Sequence, residues 1–368
     1  MNEHADKSGS AFDSSSLFGL RLEDLRGLFE SWGQPAYRAS QVMEWVYRLS
    51  APDYEDMTNL PKALRKRLAD DVPLYRSRII GKQESQDGTT KLLLKWPNGA
   101  TSECVLIPEG PRRTACISSQ VGCPVKCTFC ASGMGGLKRQ LSASEIVEQA
   151  MRVRQLCDDA EHLSNVVFMG LGEPLANYDA TVRALCIINA EWGMAIGARK
   201  ITVSTVGLPK HMRNLADEGM QITLALSLHA PTDGLRREII PWAKRATIDS
   251  LIEACRYYFE RTGREVTLEY VLLGEVNDGD QHARQLAEVA KQMRSNVNLI
   301  SYNPVEGLPH RRTSRDVAQR FLNTLRSAGI NAHLRPSRGL DIDAACGQLR
   351  RREGTTDEAL DREGIPNE

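Results

Sequence analysis

The stretch VGCPVKCTFCASG, residues 121–133, sets Cys123, Cys127 and Cys130 close together on one short loop. Three thiols at this spacing fall one short of a structural zinc site, and no second cysteine pair follows to complete it. Cys127 and Cys130 alone would make a C-x-x-C redox pair, which leaves Cys123 idle. A four-iron cluster held by three thiolates, with one iron open to a further ligand, uses all three. Spacing alone leaves the three readings side by side.

Beyond the cysteines the chain alternates. Apolar, β-branched runs NVVFMG (165–170), KITVST (200–205), ITLALSLHA (222–230), VTLEYVLL (266–273), VNLISYNPV (297–305) and NAHLRPS (331–337) read as buried strands. Helical segments are predicted between them near 142–157, 178–192, 208–218, 248–262, 280–294 and 314–328. The first opens on a capping box, Ser142 with Glu145, followed by Ile146, Ala150 and Val153 on one face. Such repetition means parallel strands joined by right-handed crossovers. Six or seven strands fall short of a closed eightfold barrel. The expected fold is therefore α/β, an open, partial β/α barrel with its chemistry at the carboxyl ends of the strands.

The flanks read differently. Residues 1–16 are polar and serine-rich, which predicts a disordered tail. Residues 17–75 predict a helical accessory domain: Val42, Trp45, Val46 and Leu49 recur at helical spacing, and NLPKALRKRLAD adds a helix with Pro61 in its first turn. Residues 76–110 predict hairpins, with SRIIGKQ, TTKLLLKW and ATSECVLIP parted by QDG and PNG turns. The barrel is expected over 111–349 and a charged, mobile tail over 350–368. Composition is ordinary for a globular chain, 41% apolar and 26% charged. With no secretory h-region and no apolar run of membrane length, the expected setting is cytoplasmic, with no membrane partner. Nine cysteines there argue for metal or redox chemistry rather than a disulfide framework. The 47 basic and 47 acidic side chains cancel, which argues against a generic polyanion binder but not against a local basic groove. The basic residues do cluster, notably from Lys62 through Arg65, Lys66 and Arg67 to Arg76 and Arg78.

Cys-x3-Cys-x2-Cys with Phe129 before the third cysteine, ahead of a strand–helix array, resembles the radical S-adenosylmethionine (SAM) superfamily. ACISSQVGC, FMGLGEPLAN, VSTVG, LSLHAP, YNPVEG and RGLDIDAACGQLR narrow the resemblance to the RNA adenine-C2 methyltransferases, over residues 18–350. That resemblance implies one [4Fe-4S] cluster held by Cys123, Cys127 and Cys130, with SAM on the open iron and two SAM consumed per turnover. The implied substrates are an adenosine of 23S rRNA and the adenosine 3′ of the anticodon in some tRNAs. The implied electron donor is a flavodoxin or ferredoxin with its reductase.

Adenine C2 lies between two ring nitrogens and is too electron-poor to attack the methyl of SAM, whereas a carbon radical can add to it. In the family scheme Cys346 takes a methyl from one SAM, and a second SAM yields the radical that activates it. The carbon then adds to C2, a base removes the C2 proton, and a second thiol releases the product by forming a disulfide. By resemblance Cys346 is the carrier, Glu103 the proton acceptor and Cys116 the resolving thiol. Likewise Gly172, Glu173 and Pro174 are expected at the SAM amino group, with Ser204, Ser227, Leu228, His229 and Asn303 completing the pocket.

Plainer readings stand beside these. Cys157, Cys186 and Cys255 fall in helical segments and read as core residues. Alternation turns Cys104 away from Glu103 and makes it structural. His229 alone could be a satisfied core histidine. The basic run Lys62–Arg78 could dock RNA or merely brace the barrel. Three rival functions remain: the sibling enzymes that methylate C8 of a ribosomal adenine, a radical activase acting on a protein, and an RNA-binding or zinc-structured module. RGLDIDAACGQL and NLPKALRKRL favour the C2 enzymes over the first, and an activase has no use for Cys116 and Cys346.

Overall fold

The computed structural model describes residues 16–158 and 162–349. The tails expected at 1–16 and 350–368 lie outside the described residues, Ser16 excepted.

The chain opens with α1 (Leu22–Ser31), α2 (Tyr37–Met43, continued by a π-helical turn over Glu44–Arg48) and α3 (Lys62–Asp71). The first, not singled out from sequence, buries Leu22, Leu25 and Phe29 at helical spacing, and Asp24 accepts the Arg21 N–H at 2.9 Å. Four strands follow, β1 (Arg78–Glu84), β2 (Thr90–Lys95), β3 (Thr101–Glu109) and β4 (Arg112–Cys116), paired antiparallel in sequence order. The chain then leaves the sheet through a two-stranded ribbon, β5 (Gln120–Val121) with β6 (Arg139–Gln140), whose strands bracket the cysteine loop.

The remainder alternates as expected. It runs α4 (Ala143–Arg154), β7 (Asn165–Phe168), α5 (Tyr178–Asn189), β8 (Ile201–Thr205), α6 (Pro209–Asp217), β9 (Thr223–Ser227), α7 (Asp233–Ile239), α8 (Ile248–Thr262), β10 (Val266–Leu272), α9 (Asp280–Ala290), β11 (Ser295–Ser301), α10 (Arg315–Ser327) and β12 (Ala332–Arg335). The capping box at α4 is present: the Ser142 N–H donates to Glu145 at 2.9 Å, and the Ser142 hydroxyl accepts the Glu145 N–H at 3.3 Å. All six predicted strands and helices are found. The seventh helix, α7, is only two turns long and too short to show a period.

One ten-stranded sheet runs β1-β2-β3-β4-β7-β8-β9-β10-β11-β12. From β4 onward its strands are parallel, giving the open barrel, and the hairpins extend the same sheet at one edge. The main core is continuous from Leu17 and Phe18 of the N-terminal part through to Phe321 and Ala332. Polar contacts reinforce that junction. Arg154 of α4 donates to the carbonyls of Tyr47 and Arg48, and Arg183 of α5 donates to the Gly19 carbonyl at 2.8 Å. Glu148, buried on α4, accepts the N–H groups of Arg76 and Ser77. Two smaller apolar clusters lie apart from the main core. One surrounds the three cysteines; the other, built on Val105, Cys116 and Leu171, lies under the chain after β12. Among the described residues no helix is long and apolar enough to cross a membrane.

Candidate active site

The cysteine loop is shaped by glycine. Gly122 has φ +76, and a Cβ there would overlap the Gly136 carbonyl on the far side of the ribbon. Val125 and Phe129 point into the apolar shell, with the Phe129 ring edge-on to His229 at 5.0 Å. Burial pushes the Cys123 thiol up to about 12, against the N–H groups of Val125 and Lys126. Burial also holds Cys127 well above its ordinary value, and Cys130 and Cys123 beside it add to the rise. Cys130 is raised by burial although Ser132 and the Gly133 N–H are aimed at its sulfur. Three thiols close together in an apolar shell, two of them met by N–H donors, fit an iron–sulfur cluster, whose positive iron would offset the charge they carry as thiolates. No group of three such side chains among the described residues converges as ligands of a single ion would. A cluster that takes each thiolate on a different iron asks for no such convergence.

The cysteines form one wall of a cavity at the carboxyl ends of the barrel strands. Gly172, Glu173, Ser204, Ser227, His229, Asn303 and Cys346 line it as well. Gly172 has φ +111, and a Cβ would lie 2.7 Å from Gln120 and Ser119. Glu173 is buried and accepts the Val206 N–H at 2.7 Å and the Leu175 N–H at 3.0 Å. Burial nevertheless raises its carboxyl to about 7. The Ser204 and Ser227 hydroxyls are 3.2 Å apart. His229 accepts the Val271 N–H on Nδ1 at 3.1 Å, so the neutral ring carries its proton on Nε2. Burial, and then the Arg236 guanidinium, lower His229 to about 3, so it stays uncharged at any working pH. Pro174 and Leu228 do not line the cavity: Pro174 opens a buried 3-10 turn, and the Leu228 side chain is in the core.

Cys346 is exposed and lines a second cavity too, together with Cys116, Met169, Arg335 and Ser337. Burial pushes the Cys116 thiol up to about 12; the nearby Cys346 sulfur adds to this and Arg335 opposes it. Arg335 is in turn raised, first by Cys346. All nine cysteines are free thiols. The segment that carries Cys346 is anchored on both sides. Toward the hairpins, Asp341 accepts the Ser85 hydroxyl at 2.5 Å, and Asp87 accepts the Gly339 N–H at 3.0 Å. Toward the cluster, the Gly347 carbonyl accepts the Ala131 N–H at 2.8 Å, and Asn303 donates to the Cys346 carbonyl at 3.1 Å. Glu103 on β3 is buried 3.4 Å from Lys91 Nζ, on the face that carries Val105. Cys104 points the other way into the main core.

Several residues of this region were invisible to sequence reasoning. Arg236, buried on α7, donates to the Leu228 and Val206 carbonyls, beside Cys127. Glu269 lines the cavity with one oxygen accepting from Asn298 at 3.1 Å and the other buried without a hydrogen-bond partner, an acceptor suited to a ligand hydroxyl. The signal for Glu269 was a carboxylate inside an otherwise apolar strand. One expectation needs correction. Cys186 is exposed, because α5 turns Thr181, Ala184, Leu185 and Ile188 inward and Cys186 outward. Arg65, in the basic run, is buried and donates to Glu55, while Arg67 lies over the Trp32 ring at 4.2 Å.

Residues 117–287 match the radical SAM superfamily, and residues 15–73 match the ribosomal RNA large subunit methyltransferase N-terminal domain. The chain is 43% identical to a probable dual-specificity RNA methyltransferase RlmN of Rhodopirellula baltica, over 95% of this chain and 94% of the relative. It is 46% identical to the protein so described in Geobacillus kaustophilus, over 92% and 93%. In structure it is similar to a radical SAM methyltransferase from Sphaerobacter thermophilus, with TM-score 0.89 and 46% identity over 91% of this chain and 99% of that one.

Proposed function

Since the chain belongs to the RlmN family of radical SAM RNA methyltransferases, we propose that it methylates C2 of an adenine in 23S rRNA, and of the adenine 3′ of the anticodon in tRNAs, through Cys346. A [4Fe-4S] cluster on Cys123, Cys127 and Cys130, with SAM bound, supplies the transferable methyl and the hydrogen-abstracting radical. Two SAM are consumed per turnover, and a flavodoxin or ferredoxin with its reductase provides the electron. The chain's own residues do the rest. Gly172 lets the loop close against Ser119 and Gln120, Glu173 accepts from the ligand's ammonium, and Ser204, Ser227, His229 and Asn303 supply the remaining polar edge. Cys346 carries the carbon to C2, Glu103 takes the C2 proton and Cys116 attacks the Cys346 sulfur to free the product. The N-terminal helical part offers RNA the exposed Lys62, Lys66 and Arg67, the last lying over the Trp32 ring, while Arg65 is buried.

The observation that carries this reading is the position of Cys346 on the wall between two cavities, one holding the three cysteines and the other Cys116. Its test is Cys116→Ala. Without the resolving thiol, reacted RNA should remain covalently attached to Cys346, as a protein–RNA band that nuclease trims and peptide mass spectrometry maps. Free RNA methylated at the normal rate would overturn the carrier scheme. Nucleoside mass spectrometry of the wild-type product should give 2-methyladenosine; 8-methyladenosine as the main product would favour the sibling chemistry.

A further inference from the structure

Cross-strand register brings one more residue to the base. Lys91 on β2 faces Val105 on β3, and Val105 faces Cys116 on β4. Residues directly opposed in a ladder share a face, and Glu103, two positions before Val105, points to the same side. Lys91 is only 6% exposed and Glu103 only 5%. The Lys91 ammonium is 3.4 Å from a Glu103 carboxylate oxygen, and it donates to the Asp343 carbonyl at 3.3 Å. Asp343 lies three residues before Cys346 on the anchored segment.

A buried ion pair is poor value for stability alone, because apolar residues of similar volume do as well or better. This one has a place that stability does not require. A single ammonium touches both the group read as proton acceptor and the segment that carries the thiol. Resting on the reading of Glu103 and Cys346 given above, we infer that Lys91 is the positioning residue of the proton-transfer step. It holds Glu103 as an aimed carboxylate and keeps it in register with the Cys346 segment. Cys104, next to Glu103 in sequence, faces the opposite side of the strand, into the main core.

The step balances without a new reactant. With the Cys346-borne carbon bonded to C2, the C2–H bond breaks, its electron pair stays on the adduct and the proton passes to a Glu103 oxygen. Lys91 neither gains nor loses a proton. While Glu103 is neutral, the Asp343 carbonyl remains as the partner of the buried ammonium.

The test uses reconstituted holoenzyme with Lys91→Met and Lys91→Arg, and RNA carrying hydrogen or deuterium at C2. Lys91→Met should load a methyl on Cys346 as the wild type does, measured by peptide mass. It should methylate RNA more slowly, by ~10²-fold for a misplaced reacting group, and show a C2-deuterium isotope effect larger than the wild type's. Lys91→Arg should restore most of the rate. If Lys91→Met does not fold, Lys91→Gln, which keeps a donor without the charge, takes its place. Methyl loading and RNA methylation lost in equal proportion, with the isotope effect unchanged, would show a merely structural residue and overturn the inference. So would a wild-type rate. Cys116→Ala run alongside separates the two failures. If it traps no adduct, the carrier reading falls and Lys91 with it; if it traps the adduct while Lys91→Met leaves proton loss unimpaired, only Lys91 falls.

Discussion

His229 carries a cost that shows on acidification. Folded, burial and Arg236 hold it down to about 3, against an ordinary value near 6.5. Between those values the unfolded chain binds a proton that the folded chain does not, so this contribution to stability falls as pH drops below about 6.5. The slope approaches about 1.4 kcal/mol per pH unit inside the window. Acid denaturation of His229→Gln should therefore show a shallower loss of stability across that range than the wild type; equal slopes would contradict the buried, neutral histidine. At this scale the sequence was readable where chemistry sits in local spacing. The three cysteines could be read as a cluster site because they lie on one loop. Lys91 and Arg236 could not, because each takes its meaning from a partner on another strand or helix, and register is set by the whole sheet.

The ribbon formed by β5 and β6 depends on the missing side chain of Gly122. Gly122→Ala would combine a strained positive φ, costing about 1–3 kcal/mol, with a clash against the Gly136 carbonyl. The protein should still fold, since the ribbon stands apart from the main sheet, but should bind less iron and sulfide on anaerobic reconstitution; full loading would show that the loop tolerates a Cβ. At the opposite end of the site, the β1–β2 turn grips the segment after β12 through Ser85, Asp87 and Asp341. Asp341→Ala should lower the rate of RNA methylation with little change in melting temperature, because exposed polar contacts contribute little to global stability. A fall of many degrees would instead assign Asp341 to the core fold. Elements with a full period, such as β10 or α8, could be placed from sequence. The short helix α7 could not, although it supplies the buried arginine beside the cysteine loop.

The molecule is one sheet with its N-terminal helices welded to it, and the weld was not legible from composition. Residues 17–75 read as an accessory module, yet Leu17, Phe18, Leu25, Phe29 and Val42 belong to the same apolar core as the barrel. Each fully buried side chain of this kind is worth about 1.5–3 kcal/mol, against a net stability of about 5–15 kcal/mol. A chain starting at residue 74 should therefore be insoluble or lack a cooperative melt; a soluble, cooperatively melting fragment would establish a separable module. The same sheet has one open side, with β1 at one edge and β12 at the other. The chain after β12 crosses that opening to the β1–β2 turn, so Cys346 rides on a span fixed at both banks and not on a free arm. A sulfur held in this way has the reach of one side-chain rotation. With Cys346 in its proposed carrier role, the travelling falls to the nucleic acid, whose adenine has to leave its stack and come to the thiol at a cost of a few kcal/mol when the base is stacked. Selectivity is then decided in the RNA before any bond is made: an adenine already turned out of its helix arrives at little cost, and one held in a duplex does not arrive.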